Sequence, residues 1–119
     1  MAGKLTTHVL DTAQGCPAAH MEVKLWSIDP QFGDRILLKT AHTNIDGRID
    51  PPLLADDTFK VGVYELEFAV GSYFAQSKLA ASPPFLGRVP IQFGVADADA
   101  HYHVPLLVSP WSYSTYRGS

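Results

Sequence analysis

The 119-residue chain is predicted to fold as an all-β, two-sheet antiparallel sandwich with one short helix. Three observations carry this expectation. Short runs rich in β-branched and aromatic residues recur at regular spacing, clusters of Gly, Pro, Asn and Asp divide them, and only one segment has room for a helix. Leu5 to Thr12 is the first strand and ends at the turn residues Gln14-Gly15-Cys16-Pro17. Met21 to Ile28 alternates Met21, Val23 and Leu25 with Glu22 and Lys24, and Arg35 to Thr43 is its hairpin partner across a loop that contains Pro30 and Gly33. Asn44-Ile45-Asp46-Gly47 is a turn, with Gly47 free to take positive φ and Arg48 at its exit. Val61 to Val70 sets Tyr64, Leu66 and Phe68 on one face. Ser72 to Ala80 is the expected helix, with Tyr73, Phe74 and Leu79 inward, and Pro83-Pro84 bars its extension. Val89 to Val95, His101 to Val108 and Ser112 to Tyr116 complete the strands.

A chain of this length suits a single domain spanning residues 1–119, able to bury a core without disulfides. Hydrophobic residues at 46% against 18% charged exclude a disordered polar chain. The net charge of −3, with no basic run, argues against nucleic acid as a partner, because a phosphate-facing surface needs a cationic stripe. No apolar run is long enough to span a bilayer, so no membrane is expected. Cys16 has no second cysteine to pair with, and no signal peptide is visible, so the cytoplasm is the expected location. Apolar residues on both faces of Tyr102 to Val108 point to a subunit interface in addition to the core.

His8, His101 and His103 are the residues with chemistry to offer. Residues two apart on a strand share a face, so His101 and His103 point one way while Tyr102 and Val104 point the other. His8 shares its face with Thr6 and Leu10. One reading is a set of hydrogen-bonded interior histidines. A second is a zinc site, since His-x-His plus a third imidazole leaves one position open for water. A third is metal-free hydrolysis, with an imidazole as general base and Arg48 or Arg117 clamping an anionic or carbonyl-rich substrate. Cys16 lies in a Gly-Cys-Pro turn with no base beside it, and is read as a loop residue.

Three stretches resemble those of the 5-hydroxyisourate hydrolases of the transthyretin-like family. They are Leu5 to Thr12 with Gly15-Cys16-Pro17-Ala18, the turn Thr43 to Arg48, and His101 to Pro110 followed by Tyr113 to Ser119. The likeness runs through nearly the whole chain in order, and transthyretin itself lacks the closing Tyr-Arg-Gly-Ser. The resemblance implies two four-stranded sheets and a homotetramer built as a dimer of dimers with sites in a central channel. It also implies hydrolysis of 5-hydroxyisourate to 2-oxo-4-hydroxy-4-carboxy-5-ureidoimidazoline in urate degradation, without cofactor or metal. On the family pattern the catalytic residues fall on His8, Arg48 and His103. Tyr116, Arg117, Gly118, Ser119 and Ser114 would bind substrate. His101 has no assigned role, and His8 and His103 are expected to meet across a subunit interface. One stretch departs from the pattern: Leu86-Gly87-Arg88 stands where an acidic residue is usual, which touches packing at the sheet edge.

Overall fold

The computed structural model describes residues 3–78 and 80–118. Among the described residues nine strands and one helix follow in order: β1 (Lys4–Asp11), β2 (Cys16–Pro17), β3 (Glu22–Ile28), β4 (Arg35–His42), β5 (Leu54–Ala55), β6 (Gly62–Ala69), α1 (Val70–Phe74), β7 (Arg88–Val95), β8 (His101–Val108) and β9 (Tyr113–Thr115). A single 3-10 turn at Asp56–Thr58 leads from β5 towards β6. The second sheet runs β4-β3-β6-β7 and has the expected four strands. The first runs β2-β1-β8-β9 and carries a fifth strand, because β5 pairs with the start of β1 while β2 pairs with its end. Two-residue strands of this kind leave no periodic trace in a sequence.

The two-sheet sandwich is as expected, with one pair that departs from the antiparallel rule. β1 and β8 run parallel, in the register Thr6↔His103 and His8↔Pro105. Most of the chain separates these strands, so no hairpin constrains their direction. The core lies between the sheets. Leu5 and Val9 from β1 and Val104, Leu106 and Val108 from β8 meet Val23, Leu25, Leu66 and Phe68 of the other sheet. Burying a side chain such as Leu106, fully removed from solvent, contributes about 1.5–3 kcal/mol.

Two polar side chains share the inward face of β1, and both are satisfied. Thr7 Oγ1 donates to the Val104 carbonyl at 2.7 Å, tying β1 to β8. The Asp11 carboxylate accepts from the backbone N–H groups of Ala13 and Gln14 and from the Tyr73 hydroxyl at 2.8 Å. Burial, and then this carboxylate, push the Tyr73 phenol well above its ordinary range.

The helix is shorter and earlier than expected: Val70–Phe74 in place of Ser72 to Ala80. Val70 and Phe74, four apart, bury against the sandwich, whereas Ala75 to Lys78 have no apolar stripe to bury and break into turns. Leu79 lies outside the described residues. The divergent Leu86-Gly87-Arg88 stretch closes this region. Gly71 N–H donates to the Gly87 carbonyl at 2.8 Å, and Arg88 sits 3.4 Å from Glu22. The edge is thus packed with a cation where the resemblance led us to expect an acid. No helix among the described residues is long and apolar enough to cross a membrane.

Candidate active site

Pleating places Leu5, Thr7 and Val9 inward and leaves Thr6, His8 and Leu10 on the outer face of the first sheet. On β8 the same alternation buries Tyr102 and Val104 and turns His101 and His103 outward. Because β1 and β8 are neighbours in parallel register, Thr6 lies opposite His103 and His8 sits one step along the same face. One chain therefore suffices to put His8 and His103 on adjacent strands; the expected subunit interface is not needed for that.

Arg48 arrives by way of the Asn44–Gly47 turn. Gly47 N–H donates to the Asn44 carbonyl, and the Asn44 side chain accepts from the backbone N–H groups of Asp46 and Arg48. Gly47 has φ of 75°, and a Cβ there would collide with the Val9 carbonyl, so glycine is required on both counts. Val9 N–H donates to the Gly47 carbonyl at 2.8 Å, which locks Arg48 into a bridge with His8. His8 Nε2 lies 2.9 Å from the Asp46 carbonyl oxygen. A carbonyl can only accept, so this nitrogen carries the proton and Nδ1 is left free when the ring is neutral.

The C-terminal tail runs back along β8. Gly118 forms a bridge with His103 and donates its N–H to the His103 carbonyl at 2.7 Å. A Cβ on Gly118 would lie 2.7 Å from His103 Cδ2, so only glycine lets the tail lie against the ring. Ser114 pairs with Leu107 and so shares the outer face with His103. Tyr116, Arg117 and Gly118 join His101 and His103 around an open cavity of about 740 Å³. Arg117 departs from the expectation in one respect: its guanidinium stacks 4.0 Å from the centroid of the Tyr102 ring, at the edge of the sandwich. Ser119, expected to bind substrate, lies outside the described residues.

Electrostatics single out His103. Burial lowers its pKa below the ordinary histidine value, and the nearby His101, Arg48 and His8 lower it further. His101 is lowered by burial and by Lys4. Neutral imidazoles are what a general base needs. Thr6 Oγ1 lies between the two rings, 2.7 Å from His101 Nε2 and 2.8 Å from His103 Nδ1. Among the described residues no three His, Cys, Asp or Glu side chains are grouped to hold a metal ion.

The family model described as HIUase/Transthyretin matches residues 5–118. The chain belongs to the HIUase/transthyretin family. Within it, the chain is 53% identical over 120 residues to a protein of Rhizobium meliloti named 5-hydroxyisourate hydrolase 2, covering 99% of this chain and 98% of that one. The crystal structure of an (S)-allantoin synthase matches with a TM-score of 0.91 and 48% identity; it covers 99% of this chain, which spans only 44% of the synthase. The transthyretin of Sparus aurata matches with a TM-score of 0.85 at 28% identity, covering 97% of this chain and 96% of that one. The backbone is thus shared with transthyretin, and side chains must distinguish it from the relatives named as hydrolases.

Of the residues singled out in the sequence, His103, Tyr116, Arg117 and Gly118 meet at one cavity, and Ser114 lies on the same face. His8 and Arg48 stand together beside it, close enough to act on the His103 pKa. Sequence alone gives Thr6 no place in the site and His101 no role. The signal for Thr6 was present, since it shares the His8 face at a spacing of two, but only the register of β1 against β8 brings it between the histidines.

Proposed function

We propose that this chain hydrolyses 5-hydroxyisourate to 2-oxo-4-hydroxy-4-carboxy-5-ureidoimidazoline in urate degradation, as a single domain over residues 1–119 and without metal or cofactor. The observation that carries the reading is a neutral-biased His103 beside Arg48 and His8 on an exposed sheet face, in a chain that matches full-length relatives named for this reaction. In the proposed mechanism His103 takes a proton from water, and the water oxygen attacks the C6 carbonyl of the six-membered ring. Arg48 orients the substrate and offsets the negative charge that develops on the carbonyl oxygen. The ring C–N bond then breaks, and the imidazolium returns its proton to the leaving nitrogen. His8, through its free Nδ1, helps to hold the water. Tyr116, Gly118 and Ser114 shape the substrate pocket, with Ser119 next to them in sequence. Arg117 joins them by leaving the Tyr102 ring.

The same reading includes a homotetramer, a dimer of dimers that encloses the site in a channel. Trp111 (58% exposed), Tyr113 and Tyr116 (60%) support it, because they leave a large apolar surface near the open edge at β9. Sedimentation giving a clean monomer at micromolar concentration would contradict it. A cytoplasmic setting is part of the proposal; the exposed Cys16 needs no oxidising compartment.

A carrier of a small aromatic ligand is the rival within the family. A carrier channel favours apolar walls, and His8, Arg48 and His103 make this one polar. The test is the ultraviolet decay of freshly generated 5-hydroxyisourate with and without protein. Accelerated decay that survives a chelator supports the hydrolase. Unchanged decay with ligand binding supports the carrier, and loss of activity with chelator would support zinc.

A further inference from the structure

We propose that Thr6 is a positioning residue that sets the tautomer of His103, with His101 as the acceptor that makes the setting possible. A hydroxyl has one proton and two lone pairs. Thr6 Oγ1 is within hydrogen-bond distance of His101 Nε2 at 2.7 Å and of His103 Nδ1 at 2.8 Å. If both imidazoles donated to its two lone pairs, the hydroxyl proton would be left without an acceptor among the described residues, so one imidazole donates to Oγ1 and the other accepts from it.

Two arrangements of the neutral rings satisfy this. In the first, His101 Nε2–H donates to Thr6 and Thr6 donates to His103 Nδ1. His103 then carries its proton on Nε2 and offers the cavity only a donor. In the second, His103 Nδ1–H donates to Thr6 and Thr6 donates to the bare Nε2 of His101. His103 Nε2 is then an unprotonated lone pair. The two tautomers are thereby linked, and only the second arrangement leaves His103 a bare nitrogen towards the cavity.

The second arrangement is also the one that survives proton uptake. Once His103 holds a proton at Nε2, both its nitrogens are donors, and Nδ1–H must find an acceptor. Thr6 already accepts it, so no hydroxyl has to rotate when the proton moves. Such a preset dipole is what a fixed site contributes over water. His101 can play its part only while neutral. Burial and Lys4 hold it there, and they do so from β8 and β1, the two strands that carry the linkage. His8 and Arg48 also act on His103, and Tyr116 and Arg117 line the open cavity.

The consequence for turnover rests on the hydrolase reading, but the tautomer itself does not. The test uses the full chain. Nitrogen-15 correlation spectra of the imidazoles report which nitrogen of His103 carries the proton. In parallel, kcat and KM for 5-hydroxyisourate are measured for wild type, Thr6→Ser, Thr6→Val and His101→Ala. The expected wild-type tautomer is Nδ1–H, kept in Thr6→Ser with kcat within a few-fold. Thr6→Val and His101→Ala should lose the Nδ1–H preference and about tenfold or more in kcat, a part of the roughly 10²–10⁴ that a positioned base supplies, with little change in KM. His101→Ala carries the test if Thr6→Val does not fold. A wild-type His103 protonated on Nε2, or a folded Thr6→Val or His101→Ala protein with wild-type kcat, would overturn the proposal. A wild-type protein without hydrolysis would sink the hydrolase reading and leave the tautomer measurement standing.

Discussion

The outer faces of the two sheets are built from opposite principles. On the second sheet both arginines and the three glutamates are paired. Arg35 lies 2.8 Å from Glu65 and stacks on Trp26, Arg88 reaches Glu22 and Glu67, and Gln92 donates to Glu65. On the first sheet Lys4, His8, Arg48, His101 and His103 gather, and none of the ion pairs among the described residues falls on them. Burial first, and then the neighbouring positive groups, lower the pKa values of His101 and His103, where a carboxylate partner would have raised them. A face whose charges are paired serves the fold. A face of unpaired cationic and imidazole groups sits ready for an electron-rich substrate and a proton.

The contrast breaks most easily at His103. His103→Ala should lose about 10²–10⁴ in kcat/KM, the worth of a positioned base, while thermal unfolding stays near wild type. A comparable loss of stability would mean that the outer face of the first sheet is structural after all. Arg48→Ala comes next. It should weaken kcat/KM, and it should also move the pH profile. Burial, and then His101 and Arg48, lower the His103 pKa, so the proposed base should stay neutral, and activity should persist, at lower pH than an ordinary histidine allows. Without Arg48 the pKa rises, and the acid limb of kcat/KM should shift to higher pH. An unshifted limb would separate Arg48 from His103.

The second sheet should respond in the opposite currency. Glu65 is almost buried and holds both Arg35 and Gln92. Glu65→Ala should cost roughly 1–3 kcal/mol of stability by leaving these donors under-satisfied, with turnover unchanged. Arg88→Ala, at an exposed pair, should cost about 1 kcal/mol or less, read by denaturant unfolding.

What could be read from the sequence follows from what has a period. The outward turn of His101 and His103 follows from alternation along one strand, and the Asn44–Gly47 turn from its glycine, so His103 and Arg48 were legible. Relations between strands were not. The parallel pairing of β1 with β8 joins segments about a hundred residues apart, and it alone puts Thr6 between the histidines and His8 beside them. The brief strands β2 and β5 are too short for any pattern. The stacking of Arg117 on Tyr102 reflects the alternation of the tail, which pairs Gly118 with His103 and so turns its neighbour the other way.

The most direct test is the decay of freshly generated 5-hydroxyisourate, followed by ultraviolet absorbance with wild-type protein and with His103→Ala at equal concentration. The expected result is rapid decay with the wild type and a rate lower by about 10²–10⁴ with a folded His103→Ala protein. Equal rates for the two proteins, or no acceleration by either, would contradict the assignment of this face to catalysis.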